Sequence, residues 1–186
     1  MTNFDDREKA FEKKFEKDQE IQFKVNARRN KLLGLWAAGL MGKSGADADA
    51  YAKEVIGANL EEAGFEDIET NVKVAAGVEV NFRARDRNSK LWHFDVSGAF
   101  SSSRPGLRRT DTLWKALGKA SVLAASEVQV RLVLLTTDQP PPSSAGGRAL
   151  AAVRGKGVGK TVFDVVELLD EMDLKRLQEY AEGIVR

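Results

Sequence analysis

The chain has no cysteine, one histidine (His93) and four prolines among its 186 residues. The absence of cysteine excludes disulfides, thiol catalysis and cysteine-based zinc sites. A single histidine excludes metal sites that need several. No apolar run approaches the length of about 20 residues that a membrane span needs, and the charged N-terminus has no apolar signal core. We therefore expect a cytoplasmic protein without membrane insertion.

The chain also lacks an excess of charge of either sign, because its 29 Lys and Arg residues nearly balance its 28 Asp and Glu residues. Any nucleic-acid surface must therefore be a local patch. The composition changes near residue 65. Before it the chain is densely charged and has no proline, and after it come alternating β-branched residues and all four prolines. We interpret this as a module over 1–64 and a second over 65–186, with a helix over 47–63 that both modules could share.

The first 31 residues have the charge pattern of a helix, with glutamates and lysines in neighbouring rows four residues apart. The apolar face of this segment consists of Phe4, Phe11 and Phe15. Three rings are too few to offset the entropy of ordering a helix. The pattern fits a solvated helix end, and it also fits a segment that folds when the groove of a partner receives the rings.

Hydrophobic periodicity predicts the other elements. Helices are expected over 20–41 and 47–63, a strand over 67–75 and a hairpin joining 78–86 to 90–98. There follow a helix over 111–125, a buried strand over 128–136, a loop over 138–147, a helix over 148–153, a strand over 161–167 and a helix over 172–183. The fold class is therefore α+β or α/β, with a helical N-terminal module followed by a mixed β-sheet flanked by helices.

Residues 1 to about 67 resemble the zeta-subunit family of bacterial ATP synthase inhibitors. The resemblance is carried by three strings in order, FDDREKAFEKKFEKDQEIQFK, ARRNKLLGLWAA and AYAKEV. It implies an N-terminal segment, here residues 1–20, that inserts into the catalytic head of ATP synthase and blocks ATP hydrolysis. The candidate contacts that it implies are Phe4, Arg7, Phe11 and Phe15. That family is all-helical, whereas this chain is predicted to turn into strands, as a natural fusion or an assembled chimera would.

Residues 47–186 resemble a PD-(D/E)XK restriction-endonuclease-like domain in their layout and in the segment FDVSGAF followed by RPGLRRTDTLWKALGKA. The resemblance implies carboxylates on adjacent strands that hold magnesium, and a lysine near the attacked phosphate. Asn81 stands where the first acid is expected, and Asp95-Val96-Ser97 stands in place of acid-x-Lys. We therefore expect an inactive nuclease scaffold without a cofactor.

If activity survived, Glu79 and Asp95 would hold magnesium and Lys115 would supply the positive charge. Glu54 has the position of the usual third acid, but its helical angle predicts that it faces solvent.

A basic ridge is predicted around the helix over 111–125. Its members are Arg104, Arg108, Arg109, Lys115 and Lys119. Contact with the phosphates of DNA and ordinary solvated helix charges both explain such a ridge. We expect the neighbouring Trp114 to pack against the protein.

The spacing of residues in two further motifs argues against the function that each motif would suggest. The segment GKGVGKT over 155–161 lacks the glycine that a Walker A motif needs five residues before Gly159, and an apolar strand follows it instead of preceding it. His93, Asp95 and Ser97 alternate on one strand, and residues two apart on a strand are separated by about 6.6 Å, too far to relay protons.

Overall fold

The computed structural model describes residues 46–97, 106–126 and 130–185. The chain divides into two compact units, Met1–Val55 and Ile56–Arg186. The expected helix over 20–41 and the three phenylalanines lie outside the described residues.

A five-stranded mixed sheet with the strand order β1-β2-β3-β4-β5 forms the second unit. The strands are β1 (Glu66–Lys73), β2 (Glu79–Arg85), β3 (Leu91–Val96), β4 (Leu132–Thr136) and β5 (Asp164–Glu167). Strand β2 runs antiparallel to both β1 and β3, while β3, β4 and β5 are parallel to one another. The parallel strands need crossover connections, and each of these contains a helix.

Four helices accompany the described sheet: α1 (Ala46–Ala63), α2 (Thr110–Ser126), α3 (Ala145–Val153) and α4 (Glu171–Ala181). Short 3₁₀ turns occur at Ala75–Gly77 and Gly106–Arg108. Helix α2 carries a buried stripe, Leu113, Ala116, Leu117, Ala120 and Leu123. This stripe forms one core cluster with β4, whose five residues are all buried. None of the described helices is long and apolar enough to cross a membrane.

The β2–β3 hairpin is held by a buried carboxylate, Asp86. Its Oδ1 accepts hydrogen bonds from the backbone N–H groups of Asn88 and Lys90, each at 2.9 Å, and its Oδ2 accepts one from Trp92 Nε1 at 2.9 Å. The turn residues therefore satisfy their own backbone donors and fix the register in which Phe82 faces Phe94. The expected hairpin and its antiparallel pairing are confirmed.

A second buried carboxylate, Asp164, joins β5 to the helices on either side. It lies 2.6 Å from Arg154 Nη2 and 2.6 Å from Arg176 Nε, and it accepts a hydrogen bond from the Tyr180 hydroxyl at 2.8 Å. Burial alone would raise the pKa of Asp164, but the two guanidinium groups and the hydroxyl outweigh it and lower that pKa. Arg176 also donates to the backbone carbonyl of Val165 at 3.1 Å, so a side chain caps this strand edge.

Most predicted elements are present, with different ends. The strand expected over 128–136 begins at Leu132, and the one expected over 161–167 begins at Asp164. The loop expected over 138–147 is wrong at its end, because Ser144 caps α3 and the helix begins at Ala145. Glu54 is exposed, as its helical angle predicts.

Candidate functional site

A partly buried ion pair lies where strand β3 meets helix α2. Asp95, on β3, is only 4% exposed, and its Oδ1 accepts a hydrogen bond from Lys119 Nζ at 2.7 Å. The lysine reaches this position from α2 and keeps 31% of its side chain exposed. Burial raises the pKa of Asp95, although Lys119 pulls it in the opposite direction. The site therefore combines one desolvated carboxylate with one ammonium group.

Asn81 occupies the position across the hairpin from Asp95. The regular β2–β3 ladder ends at the pairing of Phe82 with Phe94. Beyond it, Asn81 Oδ1 accepts a hydrogen bond from the backbone N–H of Val96 at 2.7 Å. The side-chain amide of Asn81 thus takes the place of a backbone acceptor, and its oxygen is occupied by this hydrogen bond.

The distance from Asp95 to Ser97 is shorter than the strand spacing predicts. Ser97 directly follows β3, and its Oγ donates a hydrogen bond to Asp95 Oδ2 at 3.5 Å. A 3.5 Å contact is a weak hydrogen bond, and the expectation that this alternation does not relay protons stays a prediction.

The residues named for a residual metal site have different environments. Glu79 is exposed at the start of β2, where it faces Lys73 on β1, whereas Asp95 is buried. Lys115 is exposed and acts on Asp95 only through its charge, which favours the carboxylate. Within the described parts of the chain, no cluster of three or more His, Asp or Glu residues could hold a metal ion.

Three cations of the basic ridge, Arg108, Arg109 and Lys119, form ion pairs with carboxylates. Arg108 lies 3.2 Å from Asp138, and Arg109 lies 3.1 Å from Asp111. Lys119 belongs to the Asp95 pair, so it is not a purely solvated charge. Arg104 lies outside the described residues, as do the inhibitory candidates Phe4, Arg7, Phe11 and Phe15.

Trp114 does not pack, contrary to expectation. It is 58% exposed on α2, beside Lys115, while its chain neighbour Leu113 is buried. The helix directs Leu113 into the core and turns the indole outward, since consecutive residues are about 100° apart around the axis. An exposed indole next to an ammonium group is suited to stacking on a flat ligand.

The partner of Asp95 was missed from the sequence, although a signal existed. Lys119 follows buried Ala116 by three residues and precedes buried Leu123 by four, so it borders the apolar stripe of α2. A long lysine side chain at that border can extend along the apolar surface to a buried acid. Lys115, one turn earlier, has no buried residue at its i−3 or i−4 position in α2.

Comparison with known proteins finds one family. Residues 1–81 match the family model of ATPase inhibitor subunit zeta. The match covers fewer than half of the 186 residues and ends inside β2. No curated protein and no solved structure matches the chain.

Proposed function

We propose that this protein inhibits ATP hydrolysis by the catalytic head of ATP synthase and does so through residues 1–20. The observation that carries the proposal is the match of residues 1–81 to ATPase inhibitor subunit zeta. The sequence pattern of the first 20 residues supports it independently. Three rings on one face, flanked by rows of opposite charge, form a segment that gains order when a groove covers the rings.

The energy of such an insertion comes mainly from Phe4, Phe11 and Phe15. Burying one phenylalanine side chain contributes about 2 kcal/mol. Part of that gain offsets the entropy of ordering the segment. Removal of two rings should therefore abolish most of the affinity, while Arg7 supplies a charge that can pair with a carboxylate of the partner.

The test compares full-length variants in an assay of ATP hydrolysis by the cognate synthase. The double variant Phe11→Ala/Phe15→Ala should need at least about a hundredfold higher concentration for half inhibition, since about 4 kcal/mol is lost. Trp114→Ala is the matched control, because it removes an exposed aromatic from the second unit. Equal inhibition by the double variant and the wild-type chain would refute the proposal.

A second candidate function belongs to the sheet-containing unit, which we propose to be a restriction-endonuclease-like domain that contacts nucleic acid without cutting it. Its support is the order of five strands in which β2 alone is antiparallel to the rest, together with a helix before the sheet and one after β3. The exposed indole of Trp114 beside Lys115 favours a nucleic-acid ligand, since aromatic rings stack on bases and cations contact phosphates.

The absence of cleavage is inferred from the local chemistry of Asp95. The asparagine across the hairpin supplies no charge, and its oxygen is engaged with Val96 N–H. The ammonium group of Lys119 already neutralises the remaining carboxylate. Loss of one charged partner of a transition state costs about 3 kcal/mol, or about a hundredfold in rate.

Two assays test this second function. Magnesium-dependent cleavage of DNA should stay at background, and cleavage that Asp95→Ala abolishes would contradict the proposal. In binding assays, Trp114→Ala should weaken binding to a single-stranded oligonucleotide. Arg108→Ala with Arg109→Ala should reduce the salt slope by about 1.4, at about 0.7 for each phosphate contact. An unchanged salt slope would remove these two arginines from the interface.

A further inference from the structure

A cavity of about 580 Å³ lies beside strand β5, away from the Asp95 site. It is formed by the segment after β4, by helix α3 and the loop that follows it, and by helix α4. Its volume is in the range that accommodates a small organic ligand. Neither proposed function uses this cavity.

The charged groups of the lining are three cations, Arg154, Lys156 and Arg176, and one carboxylate, Asp164. Arg176 is engaged through all three of its guanidinium nitrogens, because it donates to Asp164, Asp173 and the carbonyl of Val165. Arg154 is engaged through two of its nitrogens, with Gln139 and Asp164, and a guanidinium carries five N–H donors. Arg154 therefore keeps donor capacity toward the cavity.

Lys156 is the second cation with capacity to spare. Its Nζ lies 5.7 Å from the centroid of the Phe163 ring. The sequence from Arg148 to Phe163 contains no acidic residue. The loop therefore brings positive charge to the cavity without bringing its own counter-charge.

Most of the remaining lining is apolar, apart from Gln139 and the hydroxyl of Tyr180. Pro140, Pro142, Leu150 and Ala151 contribute carbon surface on the α3 side, and Phe163 contributes an aromatic ring. Tyr180 donates its hydroxyl to Asp164, and burial together with that carboxylate raises the pKa of Tyr180. A ligand that is complementary to this lining carries an anionic group at one end and a flat apolar group at the other.

We propose that this cavity binds a small phosphomonoester with a flat ring system, with the phosphate held by Lys156 and Arg154 and the ring against the apolar wall. The phosphate matches the donors because it offers several acceptor oxygens and one to two negative charges. The loop holds Lys156 between Gly155 and Gly157, and Gly155 has a φ of +139°, which favours glycine.

Calorimetric titration of the full chain with adenosine monophosphate as the probe tests the proposal. Lys156→Ala should weaken binding about tenfold, and Lys156→Glu should weaken it further. Lys90→Ala is the control, because Lys90 is also exposed and loop-borne but lies at the hairpin turn. Both lysines are exposed, so neither change should impair folding.

Adenosine and inorganic phosphate complete the test. Both should bind more weakly than adenosine monophosphate. Adenosine that binds equally well would overturn the anion role of Lys156, and phosphate that binds equally well would overturn the role of the apolar wall. Absence of adenosine monophosphate binding at millimolar concentration, or equal losses in the Lys156 and Lys90 variants, would overturn the proposal as a whole.

Discussion

The partly buried pair of Asp95 and Lys119 predicts a specific pattern of stability changes. Lys119→Met keeps the long apolar stem and removes the ammonium group, which leaves the Asp95 carboxylate without its 2.7 Å partner. Breaking a fully buried pair costs about 3–5 kcal/mol. Because 31% of the lysine side chain is exposed, solvent screens part of this interaction, and we expect a loss of about 2 kcal/mol at pH 7.

The pH dependence follows from the raised pKa of Asp95. Between its ordinary pKa and the higher folded value, the folded state binds more protons than the unfolded state, so stability falls as pH rises through that interval. Asp95→Asn does not titrate and removes this decline. Its stability relative to the wild-type chain should therefore improve as pH rises from about 4 to 7.

Urea denaturation at pH 4 and pH 7 provides the measurement. Lys115→Met is the matched control, since Lys115 is exposed one turn earlier on α2, and it should cost less than about 0.5 kcal/mol. In an Asp95→Asn background, Lys119→Met should lower the free energy of unfolding only slightly, because no buried carboxylate is then left without its ammonium partner. Equal costs for the two lysine variants, or an Asp95→Asn variant that loses more than about 2 kcal/mol at pH 7, would refute the reasoning.

Three further predictions concern residues that stabilise the sheet and its connections. Asp86→Ala leaves Trp92 Nε1 and two turn N–H groups without their acceptor and should lower the free energy of unfolding by about 3 kcal/mol in urea denaturation. Gly106→Ala should cost more than about 2 kcal/mol by the same measurement, because φ is +61° and an added Cβ would lie 2.6 Å from the Asp138 carbonyl oxygen. The lowered pKa of Asp164 means that its stabilisation is present above its ordinary pKa and is lost as pH falls through the lower folded value. Arg176→Ala should raise that pKa toward its ordinary value and reduce the acid-dependent loss of stability, and an unchanged acid denaturation midpoint would contradict this.

The β2–β3 hairpin was predictable from sequence because its determinants are local. The turn Asp86-Arg87-Asn88-Ser89 and the alternation of the two strands act over fewer than 20 residues. The structure adds the reason for Asp86 in particular, since that side chain accepts both turn N–H groups and the indole N–H of Trp92.

The start of α3 was not predictable in the same way. Two glycines in Ala145-Gly146-Gly147 favour a loop by helix propensity. In the structure a Cβ at Gly147 would lie 2.9 Å from the Cα of Pro142, so close packing of the backbone requires glycine inside a helix. That contact joins residues only five apart, but it depends on the turn that Pro141 and Ser144 form before the helix and not on the helix propensity of the glycines.

The candidate site was predictable in its strand positions but not in its partners. The positions of Asn81 and Asp95 on neighbouring strands follow from the resemblance to a restriction-endonuclease-like domain. The identity of the lysine depended on how α2 lies over the sheet, which decides that Lys119 and not Lys115 reaches Asp95. The exposure of Trp114 depends on the same placement.

The most direct test of the inhibitor function is a comparison of ATP hydrolysis by the cognate synthase in the presence of the full chain and of a chain that lacks residues 1–19. We expect the full chain to inhibit and the truncated chain to have no effect, with the circular dichroism of the sheet and the urea midpoint of the second unit unchanged. Inhibition of equal strength by the truncated chain would contradict the assignment of this function to the N-terminal segment.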